Sequence, residues 1–129
     1  MTVLAVIPAR WQSSRFPGKP LVQIAGREMI ARVWDQVVLT PSVDQAVVAT
    51  DSDKIAVFCK ANDMDVVMTR SDHPTGSDRL AEVAEKISAD IYINVQGDEP
   101  LIEPASIDAV STCLLEAVER GIGVSTGYV

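Results

Sequence analysis

The sequence is poor in cysteine, histidine and aromatic residues, and it has no long apolar segment. Its 129 residues include two cysteines and one histidine, and aromatic residues make up 5%. Cys59 and Cys113 lie within helical patterns without CxxC spacing or a histidine partner, so we expect both to be buried, reduced thiols. No apolar run approaches the ~20 residues that cross a bilayer, and the start lacks the basic residues of a signal peptide. We therefore expect a cytoplasmic protein with no membrane partner.

Positive charge is also scarce in this chain. Lysine and arginine number 11 against 18 aspartate and glutamate residues, which gives a formal net charge of −7. The long-range field of such a protein repels nucleic acid and anionic membranes, so neither is an expected partner. Any anion that binds must be captured by a local group of cations. With 47% hydrophobic residues, the chain can form one compact domain over residues 1–129.

What the sequence does contain is a regular alternation of Val- and Ile-rich runs with amphipathic stretches. This alternation is typical of an α/β fold with a mostly parallel sheet. The predicted strands are "VLAVIPA", "QAVVATD", "DVVMTR", "IYINVQ" and a last one in "IGVSTGYV". The predicted helices are "GREMIARVWDQVVL", "SDKIAVFCKAND", "GSDRLAEVAEKIS" and "PASIDAVSTCLLEAVERG".

Some side chains are assigned to the core from the same pattern. Trp34 is expected in the core, and the third helix is expected to turn Leu80, Val83, Ala84 and Ile87 inward. A strand that opens a new unit at the last residues indicates a chain cut short of its full fold. A terminal edge strand is the alternative.

The first loop concentrates the scarce positive charge. Arg10, Arg15 and Lys19 fall in "PARWQSSRFPGKP", directly after the first strand, and Gly18 lets the backbone approach a ligand closely. In an open parallel sheet the ligand crevice lies beyond the carboxyl ends of the strands. Arginine can hold two phosphate oxygens while lysine supplies a compact charge, so the loop suits a polyphosphate. It matches neither GxxxxGK[ST] nor GxGxxG, and three solvated surface cations remain the alternative.

The fourth loop, "QGDEP", places carboxylates at the end of a buried strand. Mg²⁺ takes one or two carboxylates and keeps its other sites for water and substrate phosphate. Asp98 is therefore a candidate metal ligand. An ordinary turn is the alternative, because the same residues are favoured in turns.

The loops after the second and third strands are the other candidates. Gly76 precedes a helix start whose free N–H groups can face an anion, and Arg79 lies one turn into that helix. Ser71, Thr75 and Ser77 offer hydroxyl groups nearby, whereas His73 is interpreted as a polar loop residue. Asp51, Ser52 and Asp53 are interpreted mainly as caps of the second helix, with a functional role as the alternative.

Taken together in order, these segments resemble one family. "IPARWQSSRFPGKPL", "VVATDSDKI", "MTRSDHPTGSDRLAEV" and "INVQGDEPLI" closely resemble the 3-deoxy-manno-octulosonate cytidylyltransferases, also called CMP-Kdo synthetases. The resemblance implies a Rossmann-like, three-layer α/β/α nucleotidyltransferase fold. It implies an enzyme that couples CTP to Kdo, an acidic eight-carbon sugar, giving CMP-Kdo and pyrophosphate with Mg²⁺ for lipopolysaccharide synthesis. A homodimer is likewise implied by the resemblance, although it is doubtful for so short a chain.

Residue roles follow from the resemblance position by position. Triphosphate binding is implied for Arg10, Arg15 and Lys19, and backbone contact with the nucleotide for Pro8 and Ala9. The cytidine is implied to lie at Thr75, Gly76 and Arg79, with Gln96 contacting nucleotide or sugar and Asp98 binding magnesium. The implied mechanism is in-line attack of the sugar's anomeric hydroxyl on the α-phosphorus while pyrophosphate leaves.

The chain departs from the family pattern in a few places. Trp11 stands where the family more often has Tyr or Phe, Phe16 where it has Leu or Phe, and Ser77 where it has Thr. The tail "STGYV" departs more, since the family continues for roughly as many residues again. The alternatives are therefore a non-catalytic CTP-binding fragment, or a cytidylyltransferase for a related acidic sugar, 8-amino-Kdo or sialic acid.

Overall fold

The computed structural model describes residues 2–11, 18–70, 76–97, 102–121 and 126–128. In chain order the strands are β1 (Val3–Ala9), β2 (Gln23–Ile24), β3 (Arg27–Glu28), β4 (Gln45–Thr50), β5 (Val66–Met68), β6 (Ile91–Asn94) and β7 (Thr126–Tyr128). The helices are α1 (Met29–Val38), α2 (Asp53–Ala61), α3 (Gly76–Lys86) and α4 (Pro104–Glu119), with one 3₁₀ turn at Lys19–Leu21.

Within the described residues, five strands form a wholly parallel sheet in the order β5-β4-β1-β6-β7. Strand β1 is central, with Ala5 aligned to Ala46 on one side and to Ile93 on the other. Parallel strands of this kind are buried on both faces, which is why β1 reads as a continuous apolar run. The predicted α/β class and parallel sheet are confirmed.

Helices cover both faces of the sheet and make three layers. One core cluster joins Val3, Ala5 and Ile7 of β1 to buried residues of α1, α2 and α4. The opposite face carries Leu4 and Val6, which pack with α3. Alternate residues of β1 therefore point to opposite layers, as the two-residue period of a strand requires.

A short hairpin precedes α1 and was not predicted. Strands β2 and β3 pair antiparallel, so α1 begins at Met29 and not at Gly26. The two residues between the strands, Ala25 and Gly26, have φ of 52° and 85°. Positive φ at both central positions is what a two-residue hairpin turn requires. Arg32 fastens the hairpin to α1 by donating to the carbonyls of Ile24 and Ala25.

Several core assignments can now be compared with the sequence predictions. Cys59 is buried, as predicted, and Trp34 is half-buried and packs against the main core. Cys113 is exposed, so its predicted burial is wrong: it lies on the side of α4 turned away from Ile107 and Leu114. Ala84 is also exposed, because α3 buries only a narrow stripe.

The sheet order places a ligand crevice beside β1. The chain fills β4 and β5 on one side of β1 before it crosses to β6 on the other side. In open α/β sheets the crevice opens at such a switch point, beyond the carboxyl ends of the strands. Among the described helices, none is both long and apolar enough to cross a membrane.

Candidate functional site

The crevice opens where β1 and β6 stop pairing. The Val95 N–H still donates to the Val6 carbonyl at 2.9 Å. Pro8 lies two residues after Val6, so its backbone also faces β6. Proline, however, has no N–H to donate to that strand. Gly97 occupies this place so closely that a Cβ there would lie 2.6 Å from the Pro8 oxygen. Only glycine fits, and the loop after β6 thereby contacts the end of β1.

The first loop begins and ends at this edge. Ala9 is buried at the end of β1, and Arg10 is exposed immediately beyond it. The Gly18 N–H donates to the Trp11 carbonyl at 2.7 Å. Arg10 directly precedes Trp11 and Lys19 directly follows Gly18, so this hydrogen bond brings their backbones close together. Gly18 has a φ of 76° and introduces the 3₁₀ turn in which Lys19 is half-buried. The structure thus brings two of the predicted phosphate-binding cations to one place.

Arg79 is the most buried charged side chain of the site. It is 1% exposed, and its Nη1 donates to the Thr69 hydroxyl at the end of β5. Its Nη2 is buried and has no hydrogen-bond partner among the described residues. A buried donor without an acceptor costs free energy, and a guanidinium costs more than a neutral group. The arrangement leaves one strong donor available to an anion or a carbonyl.

Charged groups of the loops after β1 and β4 act on the pKa of Arg79. Burial lowers the pKa of its guanidinium, the Asp51 carboxylate raises it, the Arg10 cation lowers it, and Glu82 raises it. Arg10 and Arg79 are therefore near enough to repel each other. An anionic ligand between them would relieve that repulsion while accepting hydrogen bonds from both.

The loop after β4 supports this arrangement. Ser52 caps α2, because its Oγ accepts the Ile55 N–H at 3.3 Å, as the sequence predicted. Asp53 is the exposed first residue of α2. Asp51 is not the cap of α2 that the sequence suggested: its Oδ1 accepts the Trp11 N–H at 3.4 Å, and its charge raises the pKa of Arg79. It therefore joins the first loop to the buried arginine.

The remaining predicted site residues divide into two groups. Gln96 is exposed beyond the end of β6, and Gly76 begins α3 at the same edge of the sheet. The other predicted residues lie outside the described part of the chain: Arg15, Ser71, His73, Thr75 and Asp98. Within the described ranges, no three acidic, histidine or cysteine side chains gather into a metal-binding group. Assignment of a metal to Asp98 therefore stays a prediction.

Sequence reasoning overlooked one member of the site. Thr69 is buried, its N–H donates to the Thr50 carbonyl at 2.8 Å, and its hydroxyl accepts from Arg79. The signal that could have found it is its place directly after β5, where polar side chains face the crevice. The predicted strand "DVVMTR" instead included Thr69 as a strand residue.

Comparisons with known proteins find similar chains that share one name. The 3-deoxy-manno-octulosonate cytidylyltransferase of Syntrophotalea carbinolica is 51% identical over 116 residues, which cover 90% of this chain and 46% of that protein. The enzyme of the same name from Geobacter sulfurreducens is 52% identical over 123 residues, covering 94% and 49%. The chain spans about half the length of the curated relatives it matches.

Solved structures show the same architecture. CMP:2-keto-3-deoxy-manno-octonic acid synthetase complexed with CTP superposes with a TM-score of 0.86 at 41% identity, covering 96% of this chain and 50% of that one. A cytidylyltransferase from Leptospira borgpetersenii shares the fold, with a TM-score of 0.81 at 24% identity over 93% and 51% of the two chains. The fold is that of the Rossmann-like nucleotidyltransferases. Residues 4–127 match the family model for cytidylyltransferases, and the chain belongs to that family.

Proposed function

We propose that residues 1–129 form the nucleotide-binding portion of a CMP-Kdo synthetase. The whole enzyme would bind CTP at the crevice beside β1 and transfer CMP to Kdo, with release of pyrophosphate. One observation carries the proposal: Gly97 meets Pro8 at the carboxyl edge of the sheet, where Arg10 follows β1 and the buried Arg79 keeps one guanidinium nitrogen without a partner among the described residues. The names of the similar proteins and the bound CTP in one of them support the same nucleotide.

The cations of this edge would act by neutralising charge. CTP carries a strongly anionic triphosphate, and the protein carries a net charge of −7. Local cations must therefore offset both the repulsion on binding and the charge that develops on pyrophosphate as it leaves. Arg10 and Lys19 would do this work, with Arg15 as the third member from outside the described residues. Catalysis of this kind depends chiefly on positioning the reactants.

Arg79 would provide a different interaction. Its Nη2 is buried and its Nη1 is already bonded to Thr69, so it offers one fixed donor instead of a mobile charge. A fixed buried donor suits a defined acceptor on the nucleotide, such as a base carbonyl or an inner phosphate oxygen. Of the predicted cytidine residues, Gly76 begins the same helix, and Thr75 precedes it in the sequence.

A divalent metal fits the residue types of this edge. Asp98 directly follows Gly97, whose backbone abuts the end of β1, so a carboxylate in this position could hold Mg²⁺ together with substrate phosphates. A bound Mg²⁺ would supply charge neutralisation at the phosphates of CTP. Binding of two soluble substrates is compatible with the predicted cytoplasmic location. A homodimer stays a prediction.

The direct test measures CTP binding and pyrophosphate release with Kdo and MgCl₂. We expect CTP to raise the melting temperature and pyrophosphate to appear only when Kdo is present. Lys19→Ala should weaken CTP binding about 10- to 100-fold, since a charge-assisted hydrogen bond contributes about 1.5–3 kcal/mol. It should leave the fold intact because Lys19 lies in a single 3₁₀ turn outside the hydrophobic core.

A matched control is Lys60→Ala. Lys60 is exposed in the last turn of α2, at the end of that helix remote from the crevice, so its removal changes the net charge equally. Equal loss of CTP affinity in the two variants would contradict a local phosphate site. CTP binding without turnover would instead favour the non-catalytic fragment. Turnover with 8-amino-Kdo or sialic acid in preference to Kdo would reassign the acceptor.

A further inference from the structure

The proposed chemistry gives no role to Trp11, which contacts both the loop after β1 and the start of α2. It follows Arg10 directly, is half-buried and packs against the main hydrophobic core. An aromatic residue at this position could serve only to fill that core. Its other contacts, however, lie on the elements that form the nucleotide edge.

The Trp11 ring contacts two separate segments. A Cβ on Gly18 would lie 2.9 Å from Cη2 of the ring, so the Gly18 backbone rests directly on the indole. The Lys54 ammonium lies 4.7 Å from the centroid of the ring. That distance is within the range of a cation–π interaction, for which tryptophan is the best aromatic partner. The ring therefore links the start of the Lys19 turn to the first turn of α2.

The backbone of Trp11 adds two more attachments. Its N–H donates to Asp51 after β4, and its carbonyl accepts the Gly18 N–H at 2.7 Å. A single residue thus fixes the distance between the loops that follow β1 and β4. Two cations flank this junction in the sequence: Arg10 directly precedes Trp11, and Lys19 directly follows Gly18.

We propose that Trp11 is a positioning residue that sets Lys19 relative to Arg10 for the triphosphate of the nucleotide. This inference rests on the proposed function. The ring holds Gly18 by direct contact, and Gly18 in its left-handed conformation aims the 3₁₀ turn that carries Lys19. A displacement of about 1 Å in a residue that positions a substrate can cost as much as 100-fold in rate. Trp11 thereby acts through Lys19 and does not itself touch the substrate.

The test compares the affinities of the chain for CTP and for CMP. Trp11→Leu keeps an apolar side chain against the core but loses the flat ring under Gly18 and Lys54. We expect about tenfold weaker binding of CTP and less than threefold weaker binding of CMP, because only CTP depends on the two distal phosphates. A purely structural role would weaken both nucleotides equally and leave the CTP-to-CMP affinity ratio unchanged.

Two further variants complete the test. Trp11→Phe retains a ring and should restore the affinity ratio to within about threefold of the parent chain. Trp34→Phe, which changes the other tryptophan, serves as the control and leaves Trp11 as the sole indole reporter. In that variant the Trp11 fluorescence should change on addition of CTP or inorganic pyrophosphate. No change in the fluorescence with either ligand would count against a link between the ring and the phosphates.

The outcomes separate this inference from the proposed function. If the parent chain binds CTP and Trp11→Leu keeps the parent affinity ratio, the role of Trp11 is wrong and the proposed function stands. If the parent chain binds no CTP, both fall. If Trp11→Leu does not fold, Lys54→Met removes the cation from the ring at an exposed position and should lower the affinity ratio two- to threefold. An unchanged ratio in Lys54→Met would then overturn the inference.

Discussion

Gly97 and Pro8 are in backbone contact across the gap between β1 and β6, with room for a hydrogen and no more at the Gly97 Cα. A Cβ at position 97 would be 2.6 Å from the Pro8 carbonyl oxygen, closer than real Cβ atoms come to any atom. Proline ends the pairing of β1 with β6, and glycine uses the space that this opens. The contact joins the loop after β6 to the end of β1 at the carboxyl edge of the sheet without any side chain.

Gly97→Ala should disrupt this contact. The obstacle is a backbone oxygen in the central strand, which cannot rotate away, so the loop after β6 must move. We expect a loss of about 1–3 kcal/mol in the free energy of unfolding, as for other overpacked sites, and at least tenfold weaker CTP binding. Urea denaturation and calorimetric titration with CTP measure the two effects.

Gly121→Ala is the control for that substitution. Gly121 has a φ of 77° and open space around its Cα, and it follows α4. Alanine in this left-handed conformation costs about 1–2 kcal/mol, so stability should fall by a similar amount. The CTP affinity should be unchanged. If both glycine variants weakened CTP binding alike, general loss of stability and not the Pro8 contact would be the cause.

Arg79→Met should separate stability from binding. Arg79 is 1% exposed, and its Nη2 has no hydrogen-bond partner among the described residues, so its charge is only partly compensated in the ligand-free protein. Methionine removes the cost of burying that charge and in exchange leaves the Thr69 hydroxyl without its donor, so the two effects oppose each other. We expect a free energy of unfolding within about 1 kcal/mol of the parent value or above it. CTP affinity should fall at least tenfold, because the fixed donor is lost.

Arg32→Met should show the opposite pattern. Arg32 donates to the Ile24 and Ala25 carbonyls of the hairpin, so its hydrogen bonds stabilise the junction of the hairpin with α1. Its loss should lower the free energy of unfolding by about 1–3 kcal/mol and leave CTP binding intact. Thermal denaturation with and without CTP distinguishes the two arginines. Full CTP affinity in Arg79→Met would show that the buried guanidinium has only a structural role.

The sequence predicted the order of elements well because each has a strong local signal. The Val- and Ile-rich run of β1 and the Ser52 cap of α2 are visible in a few consecutive residues. The β2–β3 hairpin has strands of only two residues, too short for a recognisable alternation. The exposure of Cys113 was missed because α4 is apolar around most of its surface, so its inner face is ambiguous.

The candidate site was predictable in its residue types but not in its contacts. The rule that ligands bind beyond the carboxyl ends of parallel strands was sufficient to select Arg10, Lys19 and Arg79. No pattern in the sequence shows that Arg79 is buried or that Thr69 is its partner, since these depend on how α3 packs beside β5. The contact of Trp11 with Lys54 joins residues that lie far apart in the sequence. Such contacts follow from tertiary packing alone.

Ser111→Ala should stabilise the protein. The Ser111 side chain is fully buried in α4, and its Oγ has no hydrogen-bond partner in the part of the chain that the structure describes. Alanine removes the unpaired hydroxyl and is the better helix former, so the free energy of unfolding should rise by about 1 kcal/mol. Ser106→Ala makes the same change on the exposed side of α4 and should alter stability by less than about 0.5 kcal/mol. A loss of stability in Ser111→Ala would mean that the hydroxyl is bonded in solution.

Alkaline pH should destabilise the fold through Cys59. Burial raises the pKa of this thiol from 9.0 to about 11. Between these values the unfolded chain ionises its thiol while the folded chain keeps the proton, so the unfolded state binds fewer protons and stability falls as pH rises. The contribution of this thiol to stability is complete below pH 9.0 and is lost toward pH 11. It amounts to about 2–3 kcal/mol, since each pKa unit corresponds to about 1.36 kcal/mol.

The measurement is the free energy of unfolding across that pH interval in the parent chain, Cys59→Ala and Cys113→Ala. Cys59→Ala leaves a small cavity and starts from a lower stability, but its alkaline decline should be shallower than that of the parent by about 2–3 kcal/mol. Cys113→Ala removes the other thiol, which is exposed on α4, and serves as the matched control. Parallel curves for the parent and Cys59→Ala would mean that the thiol ionises without unfolding. A side chain enclosed between α2 and the sheet could do so only if water reached it.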